Sequence, residues 1–350
     1  MTISKKDTNT LLEPTYRFVQ ECLSSVPVII LGSGHSAAFG IPGMEKLTQY
    51  LRTEVPKDIK DDDRSTWNKF EEAIKVLPLE DALHKVPLGP FLTNLVIRKT
   101  WEYITPADRQ LLAQVVENPS MLPLSRLYDY LFHSTHKRLS IVTTNYDRLA
   151  EYAADVAGYA WASGFGYGYI GYRYNINQRL SVFLNQVQTR MVEIWKVHGS
   201  VDWFRALNGS LFSLPSVTSP QEGFTPVIVT PGIDKYRRTH EEPFRTIITG
   251  ADHAIDSGNS FFCIGYGFND EHIQPKLLEK CCRQEKSIVV LAKQLTNSAK
   301  KVLLDGRCKR FVAFEEVGNG TRLFTPDYQE GLVLEGLNLW SLGELLEKAL

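Results

Sequence analysis

The sequence predicts an α/β protein built on a doubly wound parallel sheet. Three observations carry that expectation: apolar runs of strand length recur along the chain, helical amphipathic stretches separate several of them, and the first run ends in a glycine-rich turn. In such a sheet, ligands bind beyond the carboxyl ends of the strands.

The expected strands, in order, are "VPVIIL" (26–31), "LSIVTTN" (139–145), "VEIWKVHG" (192–199), "PVIVTPG" (226–232), "SFFCIGYG" (260–267) and "SIVVLA" (287–292). Helices are expected over 146–158, 243–258 and 270–284. The gap from Gly43 to Lys137 is too long for one crossover helix. It is filled by amphipathic stretches such as "EKLTQYLRTEV", "WNKFEEAIKVL" and "DRQLLAQVVEN", punctuated by proline. Residues 44–137 therefore read as a helical insertion in a single 1–350 domain, with 138–350 the remainder of the sheet. The end of the chain, 336–350, reads as a helix that places Leu342, Leu345, Leu346 and Leu350 on one face, against its own sheet. The Gly- and Tyr-rich stretch 164–180 has no clear period; a packed surface loop, a hairpin, a lid and an oligomer contact all fit it.

Composition narrows the class. With 43% apolar residues in 350 the chain buries a substantial core, and 39 Lys plus Arg against 40 Asp plus Glu leave a net charge of −1. No global field draws it to nucleic acid or to a membrane surface, so neither is expected as a partner. The five cysteines form no CxxC pair, which argues against a ribbon-type zinc site and gives no disulfide framework. No apolar run approaches a membrane span and the first residues lack a secretory apolar stretch, so a cytoplasmic protein is expected.

The turn after the first strand, "GSGHSAAFGIP", places Gly32, Ser33, Gly34 and Ser36 where backbone N–H groups and hydroxyls can meet a phosphate. Alone this is a weak signal, because Ala37 stands where the third glycine of GxGxxG would fall. Three further strand ends carry polar groups unsuited to a core. Asn145 and Asp147 lie in "TTNYD", His198 and Gly199 in "VHGS", and Gly265, Gly267, Asn269 and Asp270 in "IGYGFND". Four such ends on one sheet edge predict one cleft.

These four segments, in this order and spacing, resemble the sirtuins over about residues 20–345. The resemblance implies a Rossmann-like fold and NAD as substrate. It carries cofactor contacts onto Gly32, Ser33, Gly34, Ser36, Ile41, Pro42, Thr144, Asp147, Gly265, Tyr266, Gly267 and Asn269, and catalytic roles onto Asn145 and His198. The departures are informative. No cysteine lies between His198 and Cys263, so the four-cysteine zinc module of deacylating sirtuins is missing and no metal is expected. Gly43-Met44-Glu45 replaces the family's D-F-R, Thr144 replaces the glutamine of T-Q-N, and Gly267 replaces a serine. Such features are similar to the divergent bacterial type associated with antiphage defence. That likeness implies an NAD glycohydrolase releasing nicotinamide with ADP-ribose or a cyclised product. It implies a homo-oligomer too, held quiet until a separately encoded partner such as a nucleoside-triphosphatase engages it.

The residues themselves fit that chemistry. The nicotinamide leaves NAD neutral, so no strong acid is needed. The protein must hold the ribose and place a nucleophile on the opposite face. Asn145 brings a donor and an acceptor for the ribose hydroxyls or a water, and His198 a proton acceptor. Gly265 and Gly267 would let the backbone approach the adenosine half. Plainer readings stand beside these. Asn145 and Asp147 are also favoured helix caps, and His84, His133 and His253 read as structural, while His35 has no assigned role. An NAD-derived-ligand sensor without turnover, and a deacylase or ADP-ribosyltransferase, are the alternative functions.

Overall fold

The computed structural model describes residues 5–77, 79–174, 180–214, 223–229 and 241–350. Its centre is a nine-stranded sheet. From one edge the strands are Tyr328–Glu335, Gly320–Thr325, Phe311–Val317, Ser287–Ala292, Ser260–Ile264, Val28–Leu31, Arg138–Thr143, Met191–Lys196 and Ala160–Ala162. The first two are antiparallel additions and the other seven run parallel. Parallel strands covered on both faces must be apolar on both faces. Every residue of Val28–Leu31, Ser260–Ile264 and Ser287–Ala292 is accordingly buried.

Alternation divides those side chains between two cores. Ile29, Leu31, Ile141, Ile194 and Phe262 pack under the helices Lys5–Ser24, Pro123–Phe132, Leu149–Val156 and Leu342–Ala349. Val28, Ile30, Val142, Phe261 and Cys263 pack under Phe244–Ser257, Gln274–Leu278 and Asn297–Leu304. The helices Met44–Asp58, Asp61–Ile74 and Leu79–Lys85, with the first half of Pro90–Glu117, close a third core around Trp67 and Phe70.

The structure departs from the sequence expectation in several places. The strand expected over 226–232 is Phe224–Ile228, and it lies in a small antiparallel sheet with Gly199–Ala206, Leu211–Ser213 and Gly171–Tyr172 rather than in the main sheet. Residues 230–232 lie outside the described residues, as do 175–179 of the Gly- and Tyr-rich stretch and the side chain of His84. The strand expected over 192–199 ends at Lys196, and the chain then turns at Val197–His198 into the small sheet. The helix expected over 270–284 is Gln274–Leu278 continued by a π-helical turn, Glu279–Arg283. No helix is long and apolar enough to cross a membrane among the described residues.

Candidate active site

Counting outward from Val28–Leu31, the chain adds Arg138–Thr143 and Met191–Lys196 on one side. It then crosses over to add Ser260–Ile264, Ser287–Ala292 and Phe311–Val317 on the other. The order reverses between Val28–Leu31 and Ser260–Ile264, and loops leaving a sheet at such a reversal diverge and open a crevice. A cavity of about 290 Å³ occupies that place, walled by residues from all four expected strand ends.

At the reversal the two glycine turns cross back to back. The Gly32 amide donates to Ile264 O at 3.0 Å and the Gly34 amide to Gly265 O at 3.1 Å. A Cβ on Gly32 would stand 2.4 Å from Gly265 O, and one on Gly265, whose φ is +60°, would stand 2.1 Å from the His35 nitrogen. Both glycines are thus required by the crossing itself. Gly32 and Ser33 still face the cavity, whereas Gly34 and Gly265 are absent from its wall. The approach of Gly265 is to Gly34 and His35, not to open space for a ligand. Residues Ser33–Ala37 form a single helical turn, and Ser36 beneath it is buried.

Of the other expected site residues, Ser36, Ile41, Pro42, Thr144, Asn145, Asp147, His198, Tyr266, Gly267 and Asn269 all line the cavity. Asn145 Nδ2 donates to Gly32 O at 2.9 Å and to Ser36 Oγ at 2.8 Å. A carbonyl can only accept, so the amide nitrogen must face the glycine turn, and both of its hydrogens are used there. The expectation that Asn145 offers a ligand both donor and acceptor narrows to its carbonyl oxygen. Asp147 accepts from the Leu149 amide at 3.2 Å, so it shapes the loop before helix Leu149–Val156. Burial pushes its carboxyl up, against the pull of Lys196.

Behind the cavity a buried ionic layer fixes the 144–148 loop. Asp108, on the long helix Pro90–Glu117, is fully buried and bonds Arg148 through Nε at 3.0 Å and Nη2 at 2.7 Å. It also accepts from the Tyr152 hydroxyl at 2.8 Å. Lys196, fully buried, donates to the Asp147 carbonyl and lies 3.1 Å from Glu151 Oε1. Burial pushes the Glu151 carboxyl up to about 7, with Lys196 pulling it down.

His198 is held by its own carbonyl, which accepts from the Val229 amide at 2.9 Å. Its Nε2 lies 2.9 Å from Asp270 Oδ2, close but out of line for a hydrogen bond. The other carboxylate oxygen, Oδ1, accepts from the amides of His272 and Ile273 at 2.9 and 3.0 Å. His35 stands off the cavity wall, edge-on to Phe39 at 5.5 Å, and burial lowers its pKa to about 4.

The sequence reading placed Asp270 at the cleft but gave it no role, and it missed Tyr146 and an apolar wall of Met44, Leu47, Leu79 and Ile104. Asp270 carries a legible signal, the polar pair that ends "GYGFND". The apolar four read as helix core, and nothing in their spacing separates a cavity wall from a core. Among the described residues no group of three or more His, Cys, Asp or Glu is placed to hold a metal ion.

Comparison with known proteins adds the following. The family model of a SIR2-like domain matches residues 139–303. No curated protein matches the chain. A solved structure described under the mechanism and regulation of Sir2 enzymes is 13% identical over 85% of this chain and 90% of that one, with a TM-score of 0.43. A Sir2 bound to an acetylated peptide is 12% identical over 86% and 91%, with a TM-score of 0.43. A Sir2 homologue in complex with NAD is 12% identical over 80% and 84%, with a TM-score of 0.37.

Proposed function

From the premise that this chain carries a sirtuin-like domain, we propose that it binds NAD in the cavity and hydrolyses the bond between ribose and nicotinamide. The observation that carries this reading is the meeting of Asn145 and His198 around one cavity with Ser33 and Ser36 of the glycine turn. A site for binding alone needs no titratable imidazole there.

The geometry supports the following roles. Ser33 and the turn backbone face the pyrophosphate. The Asn145 carbonyl, locked by its two donated hydrogen bonds, accepts from a ribose hydroxyl or from the attacking water. As the C1′–N bond breaks, its electron pair goes to nicotinamide, water forms the C1′–O bond, and His198 takes the water's proton. Met44, Leu47, Leu79 and Ile104 supply an apolar wall that excludes bulk water and strengthens the fixed dipoles around the reacting carbon. The product is ADP-ribose, or its cyclised form if a group of the adenine attacks instead.

An unregulated activity of this kind would drain the cell's NAD. We therefore read the protein as a cytoplasmic effector of antiphage defence, assembled as a homo-oligomer and released by a separate partner. The test of the activity is direct: purified protein is incubated with NAD and free nicotinamide is followed. Asn145→Ala and His198→Ala should each slow release at least ~100-fold while thermal midpoints stay near wild type. Wild-type rates in both variants would overturn the assignment.

A further inference from the structure

Two buried charges grip one peptide group behind the cavity. Lys196 Nζ donates to the carbonyl of the unit joining Asp147 to Arg148, and the amide of that same unit donates to Asp108 Oδ1 at 2.7 Å. In a trans peptide the C=O and N–H point in opposite directions, so an ammonium stands at the negative end of the peptide dipole and a carboxylate at the positive end. Asp108 and Lys196 are each 0% exposed. Asp108 comes from helix Pro90–Glu117, and Lys196 ends strand Met191–Lys196, two positions ahead of His198.

The same loop is tied to the His198 turn a second time. The Val201 amide donates to the Tyr146 carbonyl at 3.0 Å, so Lys196 and Val201, which flank His198, bond consecutive carbonyls of the segment that carries Asn145. Asn145 is moored in front by its Nδ2 bonds to Gly32 O and Ser36 Oγ. Packing alone does not call for charges here, because an apolar pair of similar volume holds two elements together at least as well as a buried ion pair. An apolar pair cannot fix the direction of a peptide plane.

We propose that Asp108 and Lys196 are positioning residues, which clamp the 147–148 peptide and thereby set Asn145 against His198 for attack on C1′. The inference rests on the NAD-hydrolase reading and extends it to two residues that do not line the cavity. It makes the helical insertion part of the catalytic apparatus: Ile104 faces the cavity, and Asp108, four positions later on the same helix, holds the loop from behind. The glycine turn that faces the pyrophosphate is held separately, by its backbone bonds to Ile264 and Gly265. The clamp therefore governs the rate of bond breaking more than the affinity for NAD.

The test uses Lys196→Met and the double variant Asp108→Val with Arg148→Met. Lys196→Met leaves Glu151 to take up a proton, since burial already pushes that carboxyl up to about 7. The double variant removes both members of the Asp108 and Arg148 pair, so neither charge is left buried alone. In both proteins, well below their unfolding midpoints, kcat for nicotinamide release should fall ~10- to 100-fold, with KM for NAD changed less than ~3-fold. Hydrogen exchange at the Asn145 amide, which donates to Thr143 Oγ1, should quicken at least ~10-fold while the amides of Val28–Leu31 keep their protection. A contribution to stability alone would lower the midpoint and leave both readings at wild type. A folded variant of either kind that keeps the wild-type kcat, or the wild-type exchange at Asn145, overturns the proposal. If wild-type protein releases no nicotinamide the hydrolase reading fails, and exchange at Asn145 still decides whether the clamp holds the loop.

Discussion

Gly265 and Gly267 sit two residues apart in one motif and carry different physical loads. Gly265 has φ +60°, and a Cβ there would stand 2.1 Å from the His35 nitrogen and 2.5 Å from the Gly34 carbonyl carbon, all backbone atoms that cannot swing aside. Gly267 is not in the left-handed region. A Cβ on it would meet only the ends of two side chains, Thr296 Cγ2 at 3.3 Å and Asn269 Nδ2 at 3.4 Å. Gly265→Ala should therefore lower stability by about 3 kcal/mol or prevent folding, and Gly267→Ala should cost about 1 kcal/mol or less. Urea midpoints of the two variants decide this, and equal midpoints would show that the turns do not interlock as described. The sequence marks both positions as glycine turns and cannot rank them, because the neighbour that separates them lies more than 220 positions away. The same limit applies to Asp270. As a polar residue past a strand end it is visible, but its face toward His198 depends on which strands are neighbours.

At the scale of elements, the helix Leu149–Val156 and the strand Met191–Lys196 are joined by the buried pair of Glu151 and Lys196, and this junction holds the loop that carries Asn145. Glu151 Oε2 is buried without a hydrogen-bond partner, so the charged form is poorly served and the carboxyl rises to about 7 from an ordinary 4.5. The sign follows from proton counts. Below about 4.5 the group is protonated whether the chain is folded or not. Between 4.5 and 7 the unfolded chain releases the proton first, so stability falls as pH rises, and above 7 the loss is complete. Glu151→Gln mimics the protonated form and escapes that loss, so its stability relative to wild type should rise by about 3 kcal/mol from pH 4.5 to 7.5. Urea melts of both proteins at the two pH values measure it; a constant gap would mean that Glu151 ionises normally in the fold. Elements of this kind divide in legibility. "SIVVLA" is apolar throughout and is the strand Ser287–Ala292, end to end. The parallel strand Phe311–Val317 and the antiparallel strands Gly320–Thr325 and Tyr328–Glu335 escaped the reading, although Gly318-Asn319 between the first two is a hairpin signal. Glu and Arg among their apolar residues blurred the runs.

Across the whole molecule, the order of the sheet is what makes a site, and the order is a property of topology. The motif set placed four polar strand ends on one edge and the structure gathers them in one cavity. The helical insertion supplies Met44, Leu47, Leu79 and Ile104 to the same cavity, a contact that amphipathic spacing alone cannot distinguish from packing. The other unexplained surface is apolar and turned outward. The hairpin of Phe183–Leu184 and Val187–Gln188 exposes Phe183, Leu184 and Val187 at 61, 67 and 63%, and Tyr169 stands 94% exposed. A two-stranded hairpin with its apolar side chains in water gains little from folding by itself, and such clusters on a soluble surface mark contacts with other chains. If the enzyme assembles as proposed, this hairpin is the first place to find the interface. Light scattering on the purified chain should give a mass that is an integer multiple of the protomer's across a wide concentration range. Replacing Phe183, Leu184 and Val187 together by serine should shift it to the monomer while leaving the cavity residues in place. A wild-type chain that is monomeric at every concentration and cleaves NAD at full rate would refute assembly as the control of this activity.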